Sequence, residues 1–102
     1  MLDVKFWLEQ AGEPVAETCF PPGEVQPPPY IVFLDHAEHR GADLKNLLVD
    51  HSMTVERYSA TDSDNTELET LFERIPYTKD KQWVSDIEQF MTVYNLEFTE
   101  KI

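Results

Sequence analysis

"LLVDHSMTVERYS", residues 47–59, alternates along its whole length. Val49, His51, Met53, Val55 and Arg57 fall on one side and Asp50, Ser52, Thr54, Glu56 and Tyr58 on the other, the period of two of a strand with one buried face. Such a face needs strands beside it and a layer to cover it. Upstream, "YIVFLD" (30–35) is a continuous apolar, β-branched and aromatic run, as expected of a central strand with both faces partly covered. Before it, "PPGEVQPPP" (21–29) can neither continue a helix nor occupy a central strand, because each proline removes an amide donor and restricts its predecessor. It reads as an extended connector, with a short edge strand in "VAETCF" (15–20) ahead of it. The eleven residues "HAEHRGADLKN" (36–46) read as a loop longer than a tight hairpin needs, and excess length of this kind is often functional.

The covering layer is also legible. In "LDVKFWLEQAG" (2–12), Val4, Trp7, Leu8 and Ala11 share one helical face, with Asp3 as N-cap and Gly12 as the stop. In "TDSDNTELETLFERIP" (61–76), Leu68, Leu71, Phe72 and Ile75 form a second apolar face, Asp64 or Thr66 caps with Glu67 or Glu69 three residues on, and Pro76 closes the element. "YTKDKQWV", the polar break "SDIE" and "QFMTVYNLEF" predict a hairpin over 77–98, with Phe90, Tyr94, Leu96 and Phe98 on a common face apart from Thr92. These elements make one domain over 1–102 of the α+β class, a mostly antiparallel sheet of four to five strands with two short helices packed on it.

Composition narrows the function classes. A 102-residue chain buries roughly two-thirds of its unfolded surface, and 41% hydrophobic residues suffice for one modest core. The formal net charge of -12 repels phosphate backbones and anionic membranes, and none of the eight basic residues forms a run, so neither nucleic acid nor membrane is an expected partner. Nine acids precede residue 51 and eleven follow it, so the charge belongs to the whole domain and not to a tail. Cys19 is the sole cysteine, which leaves no intrachain disulfide and no thiolate cage. No apolar stretch approaches the ~20 residues of a membrane span, and the first residues lack a signal peptide's basic start and apolar centre, so synthesis in the cytoplasm is expected.

Three motifs could carry chemistry. "DHAEH" offers Asp35, His36, Glu38 and His39, but a metal site wants ligands on a rigid frame, and these are expected on a loop rim without the H-E-x-x-H spacing. No metal, cofactor or catalytic residue is assigned, since Cys19 and the serines also lack a nucleophile context. "PPPY" (27–30) matches the P-P-x-Y string bound by WW domains, a mode that needs a free segment, whereas Tyr30 leads directly into a strand. His51, on the apolar side of its strand, reads as a hydrogen-bonded core or edge histidine. The acids are either a solvated surface or a mimic of a DNA backbone aimed at a nucleic-acid enzyme.

Taken in order, the helix, "EPVAETCF", "PPPYIVFLD", "RGADLKN", "HSMTVERYS", "ELETLFERI" and "YTKDKQWVSDIEQFMTVYNLEF" resemble a family of small tail-completion or tail-terminator proteins of tailed phages and prophages of Gram-positive bacteria. The resemblance covers nearly the whole chain and is most specific at "PPYIVFL", at Gly41, Ala42, Asp43 and Lys45, and in the aromatic hairpin from Trp83 to Phe98. Arg57 stands where the family pattern is apolar, and "DHAEH" lies outside the pattern. The resemblance implies a structural protein without enzymatic activity that caps the tail tube as a six-fold ring, ends its polymerisation and joins tail to head. Its partners would be copies of itself, the tail tube protein and a head-completion or connector protein, and its place the head-tail junction of the virion. A ring interface is heterologous and needs two complementary patches. The loop bearing Arg40, Gly41, Ala42, Asp43 and Lys45 is the expected site of one of them. The alternative is an acidic DNA-mimic inhibitor, and a small metal-dependent enzyme ranks third.

Overall fold

In a computed structural model of the chain, which describes residues 2–24, 26–41 and 48–101, a five-stranded sheet carries two short helices on one face. The elements run α1 (Val4–Glu9), β1 (Val15–Glu17), β2 (Tyr30–Arg40), β3 (Leu48–Ser59), α2 (Thr66–Leu71), β4 (Tyr77–Val84) and β5 (Gln89–Lys101). The sheet order is β1-β2-β3-β5-β4, antiparallel except for the parallel pair β1–β2. The α+β expectation therefore holds. Parallel pairing follows from residues 18–29, because a connection of about a dozen residues can return the chain to the end where it started, which a tight turn cannot.

The central strand is β3, between β2 and β5, and its alternation is the one read from sequence. Val49, His51, Met53, Val55 and Arg57 are buried while Asp50, Thr54, Glu56 and Tyr58 are half-buried and Ser52 is exposed. On the same face the register brings Ile31 and Phe33 from β2 and Thr92, Tyr94, Leu96 and Phe98 from β5 alongside. The helices seal it with Val4, Leu8, Leu68 and Phe72. Each large side chain fully buried here contributes about 1.5–3 kcal/mol. Phe72 sits 5.3 Å from Tyr94 and 5.6 Å from Trp7, tying both helices to β5. The opposite face is more polar, its apolar side chains being Phe20, Tyr30 and Tyr58 over Val32, together with Leu34 on β2 and Met91 and Val93 on β5, as an antiparallel sheet with one solvated face permits.

Helix ends follow local chemistry. Asp3 caps α1 by accepting from the Phe6 amide at 3.1 Å, and Gly12, at φ +84°, turns the chain after it. The cap of α2 is Asn65, in place of the expected Asp64 or Thr66. Its Oδ1 accepts from Leu68 N at 3.0 Å while its Nδ2 donates to Ala11 O at 3.1 Å, a second bond that ties α2 to the end of α1 and that neither alternative cap makes. Asp64 instead faces Lys79 and Lys81.

"YIVFLD" is an interior strand as expected, with strands on both sides of residues 31–33 and Ile31, Val32 and Phe33 all buried. The loop expected after it is corrected, because residues 36–40 are not loop. β2 runs on through "HAEHR", paired with β3 from Ala37↔His51 to Arg40↔Leu48. The ladder holds the strand there without burial, so its side chains show no apolar alternation. β5 likewise continues to Lys101 beside β3. Beyond Phe33 on β2 and Leu96 on β5 neither outer strand follows, so β2, β3 and β5 project as a three-stranded arm. The molecule measures 51 × 29 × 22 Å, and its radius of gyration is 15.0 Å where a compact chain of this length has about 13 Å.

Candidate assembly surface

Polar residues pair across the strands of the arm. At its tip Arg40 Nε donates to Asp50 at 2.6 Å, and Thr99 Oγ1 donates to the same carboxylate at 2.6 Å, joining β2, β3 and β5 through one side chain. The guanidinium holds Asp50 below the usual carboxylate range, helped by the Thr99 hydroxyl. Arg40 is thus the last residue of β2, not a free loop cation, and Gly41 follows it exposed. Ala42, Asp43 and Lys45, the rest of the expected interface loop, lie outside the described residues.

At the base of the arm His51 is buried with both ring nitrogens occupied. Nδ1 lies 2.9 Å from Asp35 and Nε2 lies 3.0 Å from Glu100, and the ring stacks on Phe98 at 4.6 Å. Burial alone would lower the pKa of this imidazole, but the hydrogen bonds to Glu100 and Asp35, reinforced by their charge, raise it. Glu100 is lowered by His51, against its own desolvation, and also accepts from the Leu2 amide. Two acceptors on one ring need two N–H donors, so the imidazolium locks β2, β3 and β5 where the arm leaves the body. A histidine amid apolar alternation signalled the burial; its acidic partners, sixteen and forty-nine residues away, left no local signal.

Beside this node α1, α2 and β5 leave an open groove of about 660 Å³, lined by half-buried Leu2, Trp7, Leu71, Ile75 and Phe98, with Arg74 at its rim. It was not legible beforehand, because Trp7, Leu71, Ile75 and Phe98 each belong to an apolar helix or strand face expected to be covered. Deeper in the body Arg57 pairs with Glu13 at 2.9 Å and donates to Ser63 O at 2.7 Å. An arginine therefore occupies a core position with its charge answered, where the resemblance implied an apolar residue.

Other candidates separate. In "DHAEH", Asp35 turns to His51, while His36 lies 3.1 Å from Glu38 on the opposite, exposed face. Among the described residues no three of His, Cys, Asp and Glu are grouped to hold a metal ion. Tyr30 of "PPPY" stacks on Tyr58 at 4.9 Å, so the string is tied to the sheet at its aromatic end. Cys19 is exposed. No helix among the described residues is long and apolar enough to cross a membrane. No protein-family model matches this chain, and no curated protein matches it.

Proposed function

We propose that the protein is a structural assembly subunit of a tailed phage or prophage, a terminator that caps the tail tube and helps join tail to head. The observation that carries the reading is the projecting arm, a rigid sheet extension braced by the Asp35–His51–Glu100 and Arg40–Asp50–Thr99 clusters. An arm and a groove on one small body supply the two different patches that a head-to-tail ring requires. The reading assigns the chain no catalysis and takes as its partners the tube protein, the head connector and further copies of itself. Its order of sequence elements, similar to that of tail terminators, is the second support.

The acidic surface would oppose ring closure by free subunits through long-range repulsion, leaving it to the tube tip as template. The alternative of a DNA mimic needs a continuous exposed acidic stripe. Asp62, Asp64 and Glu69, a close group of acids, are instead answered by Lys79 and Lys81 at 2.7–3.1 Å. The test is to label an epitope-tagged copy on intact particles with gold. Gold at the head-proximal end of the tail supports the terminator, whereas unlabelled particles together with competition against DNA for a nuclease would support the mimic.

A further inference from the structure

The outer edge of the arm carries a pattern the tail reading does not use. β1 stops at Glu17 because the chain turns there. Cys19 N bonds back to Glu17 O at 2.7 Å with Thr18 at φ +67°, a tight three-residue turn. The last contact to the edge is Thr18 N to Phe33 O at 2.8 Å. Ile31 and Phe33 turn their main-chain groups towards β1, so by alternation Asp35, Ala37 and His39 turn theirs away from β3. Among the described residues no strand pairs with the edge at these positions.

The residues along that edge, "LDHAEHR" (34–40), are self-complementary in an antiparallel sense about Ala37. Two copies paired with Ala37 against Ala37 set Asp35 opposite His39, His36 opposite Glu38 and Leu34 opposite Arg40, each pair on one face of the sheet. Every carboxylate then meets an imidazole, which has a donor in either protonation state. Leu34, 52% exposed, meets the aliphatic stem of Arg40. The outward-turned residues 35, 37 and 39 face one another as the hydrogen-bonded pairs, giving roughly six main-chain bonds. Charges on an open edge normally prevent strand addition. Here they exclude other registers and partners while matching a second copy in this one.

We infer that two copies of this chain pair antiparallel through residues 34–40 of β2, forming a two-fold dimer with a continuous ten-stranded sheet, twice the five strands of one chain. This pairing uses one patch twice, so it is separate from any head-to-tail ring and does not rest on the tail reading. The contact lies at the small end of interface sizes, and a dissociation constant on the order of 100 µM suits it.

Sedimentation equilibrium of the full chain tests the pairing, with hydrogen exchange over 34–40 read at low and high concentration. The expected result is a reversible dimer whose formation protects the amides of Asp35, Ala37 and His39. Ala37→Pro removes an outward N–H that the monomer's own ladder does not use, so the fold should survive by circular dichroism while the dissociation constant rises roughly tenfold or more. Glu38→Lys should weaken the dimer by setting a cation against His36 of the second copy. His36→Glu combined with Glu38→Lys should restore it, because the swap keeps opposite charges facing. A chain monomeric up to millimolar concentration, a dimer indifferent to Ala37→Pro, or one strengthened by Glu38→Lys through reduced net charge would each overturn the inference.

Discussion

Replacing Arg57 by methionine probes the core at the position that departs most from its expected chemistry. The guanidinium and the Glu13 carboxylate are 6% and 10% exposed, and Nε, Nη1 and Nη2 are all engaged. Arg57→Met fills most of the same space but leaves Glu13 buried without its counter-charge and Ser63 O without its donor. Breaking a buried pair from one side costs about 3–5 kcal/mol. Total stability for a domain of this length is about 5–15 kcal/mol, so the variant loses a large share of it. At about 4 °C per kcal/mol, the melting temperature falls by about 12–20 °C. Glu13→Leu added to Arg57→Met removes the stranded charge and should recover the loss, since exchanging a whole buried pair for apolar residues is often neutral or stabilising. Urea denaturation followed by tryptophan fluorescence and circular dichroism measures all three proteins. A single-variant loss below about 1 kcal/mol, the worth of an exposed pair, would refute the burial argument. A double variant no better than the single one would refute the pairing argument.

Two further outcomes follow from the same geometry. Because the folded state raises the pKa of His51, its contribution to stability is complete below the ordinary value of 6.5 and is lost as pH rises through the folded value. Glu100 is lowered, so its contribution is complete above 4.5 and is lost as pH falls through its folded value. Stability measured by urea should therefore be greatest between these limits and decline as pH rises through the folded value of His51, and His51→Gln should flatten that alkaline decline; an unchanged slope would remove His51 as its cause. Asn65→Ala should cost about 1 kcal/mol for the lost cap and more for the lost bond to Ala11, whereas Asn65→Asp, which keeps only the cap, should lie between; an Asn65→Asp variant as stable as the parent would show that the tie to α1 is worth nothing.

What could be read from the sequence tracks where burial leaves a period. β3 was legible because one face is core from Val49 to Arg57, and β5 because Thr92 interrupts an otherwise apolar row without breaking its spacing. The outer half of β2 was not, since "HAEHR" is exposed on both faces and owes its extension to main-chain bonds with β3. The site suffered for the same reason. Arg40 was expected on a free loop, yet the ladder carries it to the end of a strand beside Asp50, a partner that pairing supplies and spacing does not reveal. His51 was read as a hydrogen-bonded core or edge histidine, but the acids that hold it come from β2 and β5, and only the strand order brings them together. The Asn65 cap was missed because its advantage over Asp64 is a tertiary bond to the end of the other helix.

The central proposal is that this arm-bearing domain ends a tail tube; on that proposal its gene belongs to a prophage, and deleting it there tests the proposal most directly. After induction, electron microscopy of the lysate should show full heads lying beside unattached tails of abnormal length. Normal infectious particles would contradict the account.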